Sequence, residues 1–169
     1  MRIKSDIGIF FIAVLFFAHN SVMGGELPAG VNWDDPVTSV RTVLAKHCAS
    51  TRAIEVDPPS FPLANAEPST QAQVNCFGYE YAGFPRKFEA IYGDGILEVV
   101  WILTGKGEEN RVRQALIEAF GPAENINDQW ETFAGFRVSL RKDKPEVLLL
   151  SERMVPYYKK ELLGVRNSP

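Results

Sequence analysis

The sequence predicts an α+β protein in which an antiparallel sheet of about six strands and three helices follow one another as α-βββ-α-βββ-α. Residues 73–103 hold three apolar, β-rich segments, and residues 129–150 hold three shorter ones. An apolar stripe with helical spacing precedes each group, and a third stripe closes the chain. Because short turns separate the strands within each group, we expect antiparallel pairing, in one or two sheets.

The first helix is predicted to begin at Asp35, whose carboxylate can accept hydrogen bonds from free backbone N–H groups, with Pro36 in the first helical position. Its apolar stripe consists of Val37, Val40, Val43, Leu44 and Cys48. The chain then enters residues 52–70, which contain four prolines among Ser, Asn and Ala. This composition predicts an irregular crossing on the surface.

The first group of strands is predicted at residues 73–81, 87–92 and 96–103. Between the last two, Gly93-Asp94-Gly95 tolerates positive φ and predicts a tight hairpin, in which Asp94 is a turn residue. Residues 96–103 are largely apolar on both faces, which is typical of a strand covered on both sides. We therefore expect this strand at the centre of the sheet.

The second group follows a helix predicted at residues 108–120, which ends at Gly121-Pro122. Its strands and the final helix are predicted at residues 129–133, 136–141, 147–150 and 156–163. Three strands and a helix therefore occur twice along the chain.

The N-terminus has the pattern of an export signal. Arg2 and Lys4 precede an apolar run at residues 7–18, which is too short to span a bilayer. Val22 and Gly24 are small residues at the positions that signal peptidases prefer. We expect residues 1–24 to be removed, leaving residues 25–169 as one domain in the periplasm or outside the cell, without stable membrane insertion.

Charge and cysteine content fit this destination. The chain has 18 basic and 21 acidic side chains, and loss of the signal would leave it more acidic. This balance disfavours nucleic acid as a partner. Cys48 and Cys76 are the two cysteines of the chain. In an oxidising compartment, an even pair without metal-ligand spacing predicts a disulfide bond.

No catalytic, cofactor or metal signature accompanies these features. His47 is the one histidine left after export, and a place at the C-terminal end of the first helix gives it a structural role. One histidine and two oxidised cysteines do not supply a usual zinc site. Glu80, Glu89 and Glu98 lie on neighbouring strands, where outward carboxylates usually form the solvated face.

The sequence therefore favours a binding, inhibitory or accessory protein of the cell envelope, whose partner is another exported protein. A carrier with an apolar pocket between sheet and helix, lined by Trp101, is the second hypothesis, and an unrecognised enzyme is the third. Strict alternation predicts that Phe77, Tyr79 and Tyr81 face away from Val74 and Cys76.

The residues on that opposite face need a cover. It could come from within the chain, through Phe61 and Leu63 of the crossing or Tyr157 and Tyr158 of the last helix. Alternatively, a partner binds there, because Tyr and Arg often anchor protein interfaces. The candidate binding residues are Tyr79, Tyr81, Phe84, Arg86 and Lys87, with the outward Arg137, Arg141 and Lys142 as a second surface.

Overall fold

The structure is a computed structural model and describes residues 27–60 and 68–165. In these residues, one antiparallel sheet has the strand order β1-β2-β3-β4-β8-β7-β6-β5. The predicted signal segment, residues 1–24, lies outside the described residues, and so do Phe61 and Leu63. The strands are β1 Ser50–Glu55, β2 Gln71–Tyr81, β3 Phe84–Gly93, β4 Ile96–Leu103, β5 Asn125–Ile126, β6 Trp130–Phe133, β7 Val138–Arg141 and β8 Glu146–Leu150.

Three α-helices accompany the sheet in the described residues: α1 Val37–Leu44, α2 Glu109–Phe120 and α3 Val155–Leu162, with a short 3-10 helix at Pro28–Gly30. The predicted N-cap of α1 is wrong by one residue, because Pro36 holds that position. The Asp35 carboxylate instead accepts a hydrogen bond from the backbone N–H of Asn32 at 2.8 Å, which closes a turn before the helix.

The α+β class and the antiparallel pairing are confirmed, but the number of strands is eight rather than six. Strand β1 occupies the start of the predicted crossing and pairs with β2 from Ser50 opposite Phe77 to Glu55 opposite Ala72. The other unpredicted strand, β5, has two residues and pairs with β6. Both are edge strands. Their exposed side chains do not produce the apolar alternation that marks a covered strand.

The sheet consists of two halves that meet at its centre. Strands β1 to β4 form one meander, β5 to β8 form the other, and β4 pairs with β8. The predicted central position of residues 96–103 is confirmed. One helix precedes each meander, α1 the first and α2 the second. The repeated unit is therefore a helix followed by four strands.

The two faces of the sheet carry different helices. On the front face, Val40 and Leu44 of α1 and Val112 and Leu116 of α2 belong to the larger buried core. On the back face, Met154 and Leu162 belong to a smaller buried core next to α3. That smaller core also contains Ile91, Val99, Trp130, Leu148 and Leu150. Cover by α1 and α2 therefore makes the front face the main hydrophobic interior.

Candidate docking face and apolar pocket

The back face of the first meander carries the most distinctive surface of the described chain. Register and alternation place one side chain in two from each of β1 to β4 on this face. Helix α3 packs against the second meander, with its closest contacts to β6. We call the part of this face beyond the buried core next to α3 the docking face: Arg52, Ile54, Gln73, Asn75, Phe77, Lys87, Glu89, Trp101 and Leu103, of which Asn75 is buried.

A bulge at Gly78 decides which aromatic side chains reach the docking face. The β2–β3 register shifts between Phe77 and Tyr79, and Gly78 has φ +82°. A Cβ at Gly78 would lie 3.1 Å from the Cβ of Ala49, the residue before β1, so this close approach favours glycine there in addition to the positive φ. The extra residue turns the following side chains over, and Phe77 and Tyr79 consequently face opposite sides of the sheet.

The prediction that Phe77, Tyr79 and Tyr81 share one face is therefore wrong. Tyr79 and Tyr81 pack against the front-face core. The Tyr79 ring meets that of Phe88 edge to face, with centroids 5.5 Å apart. Burial raises the pKa of both tyrosine hydroxyls. Phe77 alone points to the back, where its side chain is 42% exposed.

Of the other candidate binding residues, Phe84 and Arg86 sit at the end of the β2–β3 hairpin. The guanidinium groups of Arg86 and Arg111 lie 5.0 and 4.7 Å from the centroid of the Phe84 ring. Arg86 is only 7% exposed and pairs with Glu108, which precedes α2. Arg86 therefore joins the hairpin to the helix and is not available to a partner.

Glu108 is held by two donors. Its carboxylate accepts hydrogen bonds from Arg86 and from the backbone N–H of Gly105, the latter at 2.8 Å. The hydrogen bond from Arg86 is the main cause that lowers the pKa of Glu108, and the Gly105 N–H adds to it. Both interactions favour the charged carboxylate.

Lys87 lies on the docking face and is thereby separated from Tyr79, Tyr81 and Arg86. Its ammonium group is 5.6 Å from the centroid of the Phe77 ring and pairs with Glu89. Next to this pair, the Gln73 amide donates a 2.7 Å hydrogen bond to Asn75 Oδ1. Arg52 is exposed and has no ion pair within the described residues. The docking face thus combines one exposed aromatic ring with one unpaired cation.

The second candidate surface, formed by Arg137, Arg141 and Lys142, is largely engaged in ion pairs. Arg137 pairs with Glu152 at 3.1 Å. The Arg141 guanidinium donates two hydrogen bonds to Asp143, at 2.8 and 3.2 Å, which raise the arginine pKa and lower that of the aspartate. Lys142 is partly exposed on the same turn. We therefore prefer the docking face.

A separate pocket of about 250 Å³ opens on the front face between the C-terminal half of α2 and the central strands. Ile102 of β4 and Val147 and Leu149 of β8 form its floor, and Tyr81 and Leu27 contribute to its wall. From α2, the lining residues are Ala115, Leu116, Ala119 and Phe120. The predicted lining by Trp101 is wrong, because that side chain lies on the back face, 6.5 Å from Trp130 between ring centroids.

The predicted carboxylates are placed apart. Glu98 is 3% exposed, accepts a 2.8 Å hydrogen bond from Ser151 and pairs with Arg153 at 3.1 Å. Glu80 lies opposite Pro85 on the neighbouring strand, near the end of the hairpin, whereas Glu89 lies opposite Trp101 in mid-strand. In residues 27–60 and 68–165 there is no group of three His, Cys, Asp or Glu that could hold a metal ion.

Cys48 and Cys76 form a disulfide bond, with their Cα atoms 5.7 Å apart, as the sequence predicts. The bond connects the turn after α1 to β2. In the hairpin after β3, Asp94 accepts hydrogen bonds from Ser69 and from the backbone N–H of Thr70, at 2.7 and 2.9 Å. This is the turn role expected of it. No helix in the described part of the chain is long and apolar enough to cross a membrane.

Sequence reasoning missed the opposite placement of Phe77 and its neighbours. A glycine within a strand pattern is the available signal, because it often marks a bulge or a close backbone approach. Gly78 fulfils both conditions. Comparison with protein-family models, with curated proteins and with solved structures found no match for this chain.

Proposed function

We propose that the protein is an exported binding module that holds a helix of another exported protein on its docking face. One observation carries this proposal. Helix α3 covers the back of the second meander and shares a buried core with Ile91 and Val99 of the first, whereas no described helix covers the remaining back face of the first meander, where Arg52 and Phe77 are exposed. The two meanders are built alike and each has its own helix on the front. A partner helix would give the first meander the cover that α3 gives the second.

The register supports this equivalence. One row of paired residues crosses the back face through all eight strands, with Trp101 and Leu148 at its centre. From β1 to β5 the row is Arg52, Asn75, Glu89, Trp101, Leu148, Ser139, Thr132 and Asn125. Leu148 lies in the core beside α3, and Trp101 packs at its margin. Trp101 therefore carries the apolar surface beside α3 as far as β4 of the first meander, and beyond it the row continues with the polar Glu89, Asn75 and Arg52.

The side chains of the docking face indicate the chemistry of the partner. Phe77 is exposed and Ile54, Trp101 and Leu103 are partly exposed, so they can receive an apolar helix stripe. Exposed Arg52 at the sheet edge favours a carboxylate on that helix, because a cation and an anion brought together in a desolvated contact attract each other. We therefore infer an amphipathic helix with an acidic residue beside its apolar stripe.

Export is part of the proposal. A structural disulfide such as Cys48–Cys76 persists in oxidising compartments, and the predicted signal at residues 1–24 would deliver the chain there. We expect mass spectrometry of the exported protein to find an N-terminus at or near Gly25. An exported protein that retains Met1 would contradict cleavage. An inhibitory or accessory role follows from binding alone, and the proposal contains no catalytic step.

Partner capture by variant proteins tests the proposal. Phe77→Asp places a charge on the docking face, and Ile126→Asp is the matched control on β5, where the side chain is 64% exposed. We expect Phe77→Asp to weaken capture of an exported protein at least about 30-fold, as loss of a central interface residue does. The control should bind normally. Equal capture by both variants, with unchanged melting temperatures, would exclude the docking face.

A further inference from the structure

The apolar pocket lies on the front face, opposite the docking face, and its shape depends on how α2 is attached to the sheet. Two ion pairs hold the N-terminal half of α2: Arg86 with Glu108, and Arg113 with Glu131 through two 2.7 Å hydrogen bonds. The first pair joins α2 to the β2–β3 hairpin and the second to β6. The pocket lies under the other half of the helix.

Small side chains keep that half of α2 open. Ala115 and Ala119 are four residues apart and therefore lie on the same side of the helix, facing the pocket. With methyl groups at these two positions, the helix does not fill the space above Ile102 and Val147. The ion pairs of Arg113 and Arg86 fix the N-terminal half of α2 to β6 and to the β2–β3 hairpin.

Of the described residues that line this apolar space, Tyr81 is the one with a polar side chain. Tyr81 has no side-chain hydrogen bond within the described residues, and no charged side chain lines the pocket. A tyrosine hydroxyl is a neutral donor at physiological pH, and burial, which raises the pKa of Tyr81, keeps it so. An uncharged acceptor could satisfy it, whereas a charged group would be desolvated without a counter-ion.

We propose that this pocket binds a medium-length alkyl chain with one uncharged polar end, which accepts a hydrogen bond from Tyr81. A cavity of about 250 Å³ holds about eight heavy atoms at ~30 Å³ each. The chain occupies the apolar space between Ala119 and Val147. The ligand class is therefore a medium-chain alcohol, ester or amide, and neither a fatty-acid anion nor a full-length lipid fits.

A series of straight-chain alcohols from butanol to dodecanol, titrated into the mature protein and followed by amide NMR shifts, tests the proposal. Each added methylene should tighten binding about fourfold, since its burial contributes about 0.8 kcal/mol. The gain should stop near octanol, when the pocket is full. Absence of saturable shifts in α2, β4 and β8, or affinity that rises steadily through dodecanol, would overturn the proposal.

Three variants locate the site. Ala115→Leu fills the pocket and should abolish octanol binding, and Ala119→Leu serves the same purpose if the first does not fold. Gln114→Leu introduces the same leucine side chain on the exposed side of α2 and should bind octanol normally. Tyr81→Phe should weaken octanol several-fold without affecting octane. Normal octanol binding by a folded, pocket-filled variant would overturn the site, whatever the outcome at the docking face.

Discussion

Replacement of Tyr79 and of Phe77 by alanine should have opposite consequences, although the residues are separated only by Gly78. Tyr79 packs in the front-face core and meets Phe88 edge to face at 5.5 Å. Loss of such a ring leaves a cavity and removes an aromatic pair, which together cost about 3 kcal/mol. Phe77 is 42% exposed, so its loss should cost only about 1 kcal/mol of folding free energy.

Thermal unfolding at neutral pH, with the disulfide intact, measures both effects. For a chain of this size, 1 kcal/mol corresponds to about 2–4 °C in melting temperature. We therefore expect Tyr79→Ala to lower the midpoint by roughly 6–12 °C and Phe77→Ala by only about 2–4 °C. Tyr79→Phe is the control: it keeps the ring and should stay within about 1 kcal/mol of the wild type.

The two stability losses show which of Tyr79 and Phe77 is packed in the core and which is exposed on the docking face. If Tyr79→Ala unfolded like the wild type while Phe77→Ala lost several kcal/mol, the side chains would be placed opposite to the bulged register. The docking face would then have to be abandoned. If both losses were large, Phe77 would be covered by another part of the chain.

Three further predictions follow from the bulge, the disulfide and the hairpin ion pair. Gly78→Ala should destabilise the protein to urea more than Gly95→Ala does. Both glycines have positive φ, but of the two only Gly78 has a neighbour within 4 Å of an added Cβ. Equal losses of stability would contradict the close contact. Reduction of Cys48–Cys76 should cost about 3.5 kcal/mol, and thiol titration of unfolded protein should find two thiols only after reduction. Because the pKa of Glu108 is lowered in the folded protein, its charged carboxylate stabilises the fold at pH values above the ordinary pKa of 4.5. This stabilisation is lost as the pH falls through the lowered pKa. The difference in urea midpoint between wild type and Glu108→Gln should therefore shrink below pH 4.5, and a difference constant from pH 7 to 3 would contradict the pairing.

Much of the fold follows from local sequence patterns. The apolar stripe of residues 109–120 and its Gly-Pro stop predict α2. The two largely apolar faces of residues 96–103 predict the centre of the sheet, because a strand covered on both sides holds few polar side chains, here only Glu98. Cysteine number and export predict the disulfide. In each case the residues themselves carry the physical cause.

Other features depend on contacts between distant residues. Strand β1 is exposed along an edge, and its pairing with β2 defines it better than its own composition does. The close approach of Ala49, about thirty positions earlier in the chain, favours glycine at the bulge. Local alternation contains neither fact. Tyr79 and Tyr81 were therefore predicted on the wrong face.

The candidate binding residues lie on different faces of the sheet, and this placement also depends on contacts between distant residues. Arg86 has the composition of an interface residue, but its burial depends on Glu108, which lies beyond the next strand. Lys87 follows it directly and lies on the opposite face of the sheet. The sequence predicts an aromatic and basic region here, and only the register shows which members share a surface.

The most direct measurement for the docking face is photo-cross-linking in living cells. A photoreactive phenylalanine analogue at position 77, on the exposed ring, is compared with the same analogue at position 126 on the opposite edge. We predict that position 77 cross-links to one exported protein, at residues spaced three or four apart on an amphipathic helix, and that position 126 does not. Cross-links from position 77 only to residues 61–67 of the same chain, or the same products from both positions, would contradict the account.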